Sequence, residues 1–187
     1  EEDIAGDLIP QIYFDYIRTG RALRLPGIFQ HNACDILTLA CLTGIVPWAF
    51  RDPSQIEAHG AELVSLGRWL RQSGRIDEAC TLFRRAVDCH LPDALLFRTL
   101  WDLAEIEKKR NSRDVALGIY ADLAAARNPY RIQALEELSK HYEHRERNYA
   151  LALDFAEQAL AVEPSDDLQR RCDRLKKKAA APQAARL

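Results

Sequence analysis

The sequence contains no methionine, no Cys-x-x-C pair and no unbroken apolar stretch of membrane-spanning length. Each absence narrows the field. Without paired cysteines a zinc ribbon or finger is not expected. The five cysteines present, Cys34, Cys41, Cys80, Cys89 and Cys172, are scattered and odd in number, which makes a poor disulfide framework. They read as reduced, mostly buried small hydrophobes of a cytoplasmic protein. A spanning helix needs roughly 18 apolar residues or more. The longest candidate, Ile36 to Phe50, is interrupted by Thr38, Thr43, Gly44 and Pro47, so no membrane partner is expected. The first residues are Glu1, Glu2 and Asp3 rather than a basic stretch, which argues against a signal peptide. With no initiating methionine, the 187 residues read as a fragment of a longer protein.

The net charge of −2 conceals an uneven distribution. Residues 1–50 hold six acids against three arginines, and the stretch 166–187 holds seven basic residues against three acids. A basic end can touch phosphate. The ordinary reading is a solvated last helix followed by a loose tail from Ala180.

What is abundant is helical periodicity, and it repeats. Leu66, Gly67, Leu70, Gly74, Ala79, Phe83 and Ala86 place small residues where two helices would cross and large ones between them. The frame recurs at Leu103, Ala104, Asn111, Ala116, Tyr120 and Leu123. It recurs again at Leu138, Ser139, Tyr142, Ala152, Ala159 and Pro164, with one extra residue in the turn. Pro92, Pro129 and Pro164 each fall just past a second helix, where proline stops helical continuation. This pattern resembles the tetratricopeptide repeat, whose nominal period is about 34 residues. The fold class expected is therefore all-α: an α-solenoid of three helix hairpins over 51–179, with repeats near 60–93, 97–130 and 132–165. A capping helix is expected over 166–179 and a tail over 180–187. Asp52-Pro53-Ser54-Gln55 reads as the N-terminus of the first repeat helix, running to about Ser73.

Residues 1–50 do not follow the repeat. An apolar stripe from Asp7 to Arg18 predicts one helix, and a second is predicted from Ile28 to Thr43. Within the second, His31 and Asp35 are four apart and project from one face, the spacing of an ordinary ion pair and also of two groups beside a metal. The words around them, Ile9-Pro10, Tyr13-Phe14-Asp15-Tyr16, Arg18-Thr19-Gly20 and Phe29-Gln30-His31-Asn32 through Asp35 to Ala40, resemble the end of the YprB-type ribonuclease-H-like domain. That family belongs among the DEDD 3′–5′ exonucleases. Leu138-Ser139-Lys140-His141-Tyr142-Glu143-His144-Arg145 resembles the repeat region that follows the nuclease in such bacterial proteins. The resemblance implies that Asp35 is a metal-binding carboxylate and that His31 assists the attacking water, with Mg or Mn as cofactor in an intact parent nuclease. Glu1, Glu2 and Asp3 do not form the missing Asp-x-Glu motif, so this chain alone is expected to hold no cofactor and to be inactive.

In a tetratricopeptide array the first helix of each repeat lines a concave groove. The frame places Arg68, Arg71, Arg98, Trp101, Lys108 and Lys140 there. Arginine suits carboxylate and phosphate recognition, so a protein or peptide, or nucleic acid, is the partner expected. Trp48, Trp69 and Trp101 are read as packing residues rather than a base-stacking surface. Glu143, His144 and Arg145 read as a turn-stabilising cluster. A free-standing tetratricopeptide scaffold with no nuclease connection is the alternative.

Overall fold

In the computed structural model, residues 4–180 are described. Among them the chain is all-α, with nine α-helices and no strand. It divides into two compact units, Glu1–Ile56 and Glu57–Leu187.

The first unit is built from α1 (Ile9–Thr19) and α2 (Leu25–Arg51), which pack on each other. Gly20 closes α1 in the left-handed region at φ 67°, donating its N–H to the Tyr16 carbonyl. The second helix corrects the sequence expectation. It does not end at Thr43 but continues through Gly44 and Pro47 to Arg51. By length and composition alone it is long and apolar enough to cross a membrane, contrary to the reading of Ile36–Phe50 as a broken run. Proline in a helix interior forfeits one hydrogen bond, and the surrounding residues outweigh that loss. Most of this apolar surface is uncovered: Ile36, Leu37, Leu39, Leu42 and Ile45 on α2 are exposed, as are Tyr13, Phe14 and Ile17 on α1.

Asp52 does not start the next helix. It ends α2, and Pro53–Gln55 forms a single 3-10 turn. The first helix of the second unit, α3 (Gly60–Gln72), starts eight residues past Asp52, capped where the His59 N–H donates to Glu62 Oε2 at 2.8 Å. It is followed by α4 (Ile76–Val87), α5 (Asp93–Lys109), α6 (Arg113–Ala125), α7 (Arg131–His141), α8 (Tyr149–Val162) and α9 (Asp166–Ala180). Each of these helices packs on its neighbour in the chain, from α3 through α9.

The three pairs α3–α4, α5–α6 and α7–α8 are joined by turns with one backbone signature. The residues at the left-handed position are Gly74 (φ 84°), Asn111 (φ 66°) and Arg147 (φ 56°). The next residue's N–H reaches back to close the first helix: Arg75 to the Leu70 carbonyl, Ser112 to Glu107 and Asn148 to Tyr142. That residue's own carbonyl then accepts from Ala79, Ala116 and Ala152, opening the second helix. The third turn spans one residue more than the other two. The extra residue is absorbed in a π-helical segment, Tyr142–Glu146, that directly continues α7.

Small residues let the helices approach. A β-carbon at Gly67 would stand 2.7 Å from Phe83 Cε1, and Phe83 is fully buried. Ala79, Ala104, Ala116 and Ala152 are likewise buried. Ser139 is buried with its hydroxyl donating to the Ala152 carbonyl at 2.8 Å, which ties α7 to α8. Leu168, Cys172 and Leu175 of α9 are buried, the last two in a cluster with Ala152 and Ala156. A helix thus occupies Asp166–Ala180, where a last helix was expected. Beyond Ala180 the expected tail lies outside the described residues, as do Glu1, Glu2 and Asp3.

One smaller expectation also changes. Cys80 and Cys172 are buried, but Cys34, Cys41 and Cys89 are exposed, so most of the cysteines are not core. All five are free thiols, and burial pushes the Cys80 and Cys172 thiols up from their ordinary pKa.

Candidate functional site

The residues assigned to a groove by the repeat frame separate into two groups. Arg71 Nη1 donates to Asp102 Oδ1 at 2.7 Å, and Arg68 Nε reaches Asp102 Oδ2 at 3.4 Å. Both arginines of α3 therefore converge on one carboxylate of α5. Arg98 is exposed, with no partner among the described residues. Trp101 is half-buried, stacked on Tyr130 with centroids 5.5 Å apart and tilted against Tyr120. Trp48 and Trp69 are more exposed than packing residues usually are.

Lys108 and Lys140 belong to a different feature, an open cleft of about 440 Å³ bounded by α5, α6, α7 and the π-helical segment. Its floor is an ion-pair network. Glu137 of α7 accepts from Lys108 through one oxygen at 2.5 Å and from Lys140 through the other at 2.9 Å. Burial pushes the Glu137 carboxyl upward, but hydrogen bonds from Lys108 and Lys140 outweigh it and hold the pKa below its ordinary value. Burial lowers the pKa of Lys108, and its bonds to Glu137 and Glu105 more than restore it. Tyr120 of α6 donates its hydroxyl to Glu105 at 2.6 Å, and burial with that bond raises its pKa strongly.

The rim of the cleft carries Arg113 at the start of α6, and His144 and Arg145 from the π-helical segment. Neither arginine has an ion-pair partner among the described residues. Arg113 escaped the sequence reading because only first-helix positions were placed in the groove, and Arg145 was read as part of a turn-stabilising cluster. The signal was present: Arg113 follows a repeat turn, and Arg145 lies in the turn with the extra residue.

The same segment fixes α9. Glu143 is buried, and its carboxylate accepts from Arg174 at 2.9 Å, Lys178 at 2.8 Å and Arg171 at 3.2 Å. Burial alone would raise its pKa, but the bonds from Arg174 and Lys178 prevail and hold it at about 2. The basic last helix is therefore partly a docking element, and Glu143 is more than a turn residue. In the second pair a buried acid is met in a similar way: Glu107 accepts from Arg84 at 2.5 Å, with Arg110 at 4.0 Å.

In the first unit His31 Nε2 lies 3.4 Å from Asp35 Oδ2, and the Asp35 side chain is 62% exposed. Two-metal phosphoryl transfer draws carboxylates from several elements. Among the described residues no group of three or more His, Cys, Asp or Glu side chains is placed to hold an ion.

No family model matches the chain. Over 184 residues it is 28% identical to "Uncharacterized protein YprB" of Bacillus subtilis (strain 168). The match takes in 95% of this chain and 44% of that protein, so the chain spans less than half the length of its relative. That similarity runs through both units and leaves the activity of each open.

Proposed function

We propose that the second unit is a tetratricopeptide-like interaction module, and that the chain is the C-terminal part of a cytoplasmic ribonuclease-H-like 3′–5′ exonuclease. The observation that carries the module reading is the turn signature repeated at Gly74, Asn111 and Arg147, with the matching bonds into Ala79, Ala116 and Ala152. A repeated backbone geometry with small residues at each crossing, and each helix on its chain neighbour, is how solenoids bury a shared core. The partner in this reading is a protein or a nucleic acid.

The reading as part of a longer protein is supported by the uncovered apolar surface of α1 and α2 and by a similarity that spans only 44% of its relative, and the nuclease connection rests on the resemblance of the words around His31 and Asp35. Helices this apolar are normally packed against another layer. In the proposal the remainder of a nuclease domain supplies that layer, and also the carboxylates that would join Asp35 around Mg or Mn. His31 would then assist the attacking water. The competing reading, a free-standing scaffold, is favoured by the His31–Asp35 approach itself, which is a sufficient i,i+4 pair without a metal.

The test is cleavage of 3′-labelled single strands by the full-length protein with manganese. The proposal expects activity that Asp35→Asn abolishes without changing the thermal melt. Absence of cleavage, or full activity in Asp35→Asn, refutes the nuclease assignment.

A further inference from the structure

We infer that the cleft between α5, α6, α7 and the π-helical segment is a phosphate-binding site that takes the backbone of a single-stranded nucleic acid. The inference deepens the interaction-module reading and rests on it.

The cleft offers donors with few free acceptors. Among the described residues Glu137 is the one carboxylate in its lining, and both its oxygens are already engaged, one by Lys108 and one by Lys140. The neighbouring acids are also engaged: Glu105 by Tyr120, Glu136 by Lys140, and Glu146 by His141. What remains unspent are the guanidinium groups of Arg113 and Arg145, which stand exposed on the rim from two different elements. Guanidinium groups bind phosphate through paired N–H bonds. The exposed imidazole of His144 lies beside them, with a face on which a base can stack.

The balance of donors and acceptors selects the ligand. A phosphodiester backbone offers acceptor oxygens only, which matches the two rim arginines, whose guanidinium groups only donate. An extended peptide presents alternating N–H and C=O groups and needs side chains that both donate and accept, such as Asn or Gln. Among the described residues no Asn or Gln lines this cleft, and the lining groups that can do both are engaged, Tyr120 by Glu105, His141 by Glu146 and His144 by Glu143 at 3.6 Å. The network of Lys108, Glu137 and Lys140 serves as a rigid floor, because each member is already fixed by its partners. The extra residue of the third repeat then has a consequence for binding, since the π-helical segment it creates carries His144 and Arg145 to the rim while sending Glu143 to α9.

The experiment is fluorescence anisotropy of a 3′-labelled ten-nucleotide oligo-dT with the 187-residue chain, against Arg113→Ala/Arg145→Ala. Both side chains are exposed, so the variant should melt with the wild type. The inference expects salt-sensitive binding that weakens at least tenfold in the variant. Losing two phosphate contacts should flatten the log K against log salt slope by about 1.4. Absence of oligonucleotide binding in 50 mM salt, or equal binding by the variant, overturns the inference. So does a ten-residue poly-Glu peptide that binds more tightly than the oligonucleotide, which would make the cleft an acidic-peptide site. Competition by inorganic phosphate at millimolar concentration supports a phosphate subsite, and its absence counts against one. The outcome is independent of Asp35: failure of the unsubstituted chain to bind the oligonucleotide, with Asp35-dependent cleavage by the full-length protein intact, refutes the cleft alone, and binding without such cleavage refutes the nuclease alone.

Discussion

Gly67 offers the sharpest perturbation of the repeat core. Its ideal β-carbon falls 2.7 Å from Phe83 Cε1 and 2.9 Å from Cδ1, closer than carbon atoms pack, and the ring is fully buried. Gly67→Ala gains about 1 kcal/mol from helix propensity and loses about 1–3 kcal/mol to overpacking. The net expectation is destabilisation of about 0–2 kcal/mol. Gly67→Leu keeps most of the propensity gain but drives three more carbons into the same ring, so about 2–3 kcal/mol is expected. Phe83→Leu alone leaves a void, and the added methyl of Gly67→Ala should partly fill it. The double variant should therefore be more stable than the sum of its parts by about 0.5 kcal/mol or more. Urea denaturation followed by far-UV circular dichroism measures the wild type and the four variants. An unchanged midpoint for Gly67→Leu, or strict additivity in the cycle, would refute the α3–α4 crossing.

Three further outcomes are expected. Glu143→Gln should weaken the docking of α9; since the folded pKa of about 2 lies below the ordinary 4.5, the ionised carboxylate contributes about 3 kcal/mol. That contribution is complete above pH 4.5 and is lost as pH falls toward 2, so the gap in thermal midpoint between wild type and Glu143→Gln should close across that window in acid melts. The 187-residue chain should not cleave single strands with magnesium or manganese, and cleavage that survives repurification and disappears in Asp35→Asn would contradict this. Because Leu37, Leu39 and Ile45 are exposed, the isolated chain should self-associate, and Leu37→Lys/Ile45→Lys should reduce both the sedimenting oligomer and the binding of a hydrophobic dye.

The second unit was legible because its signals are local. Proline and glycine mark its turns, and small residues recur at fixed distances from them, so spacing alone places Gly67, Ala79, Ala104 and Ala116 at helix crossings. The first unit was less legible because its signals conflict. Pro47, Gly44 and Thr43 each weaken a helix, yet the apolar residues around them sustain one to Arg51. The start of α3 was misplaced for a related reason: Asp52-Pro53 has the form of a helix start, but it opens only a 3-10 turn, and the effective cap is the Glu62 carboxylate on the His59 N–H.

Site residues were harder to read than crossings. A repeat frame says which face a residue occupies, not which charge will meet it. Arg68 and Arg71 of α3 pair with Asp102 of α5, and that partnership is visible only when two helices are set side by side. The single extra residue between α7 and α8 was visible in the spacing. Its consequence, a π-helical segment that buries Glu143 and exposes Arg145, was not, because periodicity counts residues without showing where an insertion turns the chain.

In the proposed reading the second unit packs without further elements, while α1 and α2 await a covering layer. Amide hydrogen exchange, read by mass spectrometry on the 187-residue chain and on the full-length protein, distinguishes the two. Peptides from α3 to α8 should be protected to the same degree in both proteins. Peptides covering Ile36–Phe50 of α2 should exchange quickly in the chain and slowly in the full-length protein. Equal exchange of α2 in the two proteins would contradict the claim, as would protection of α3 to α8 that appears only at full length.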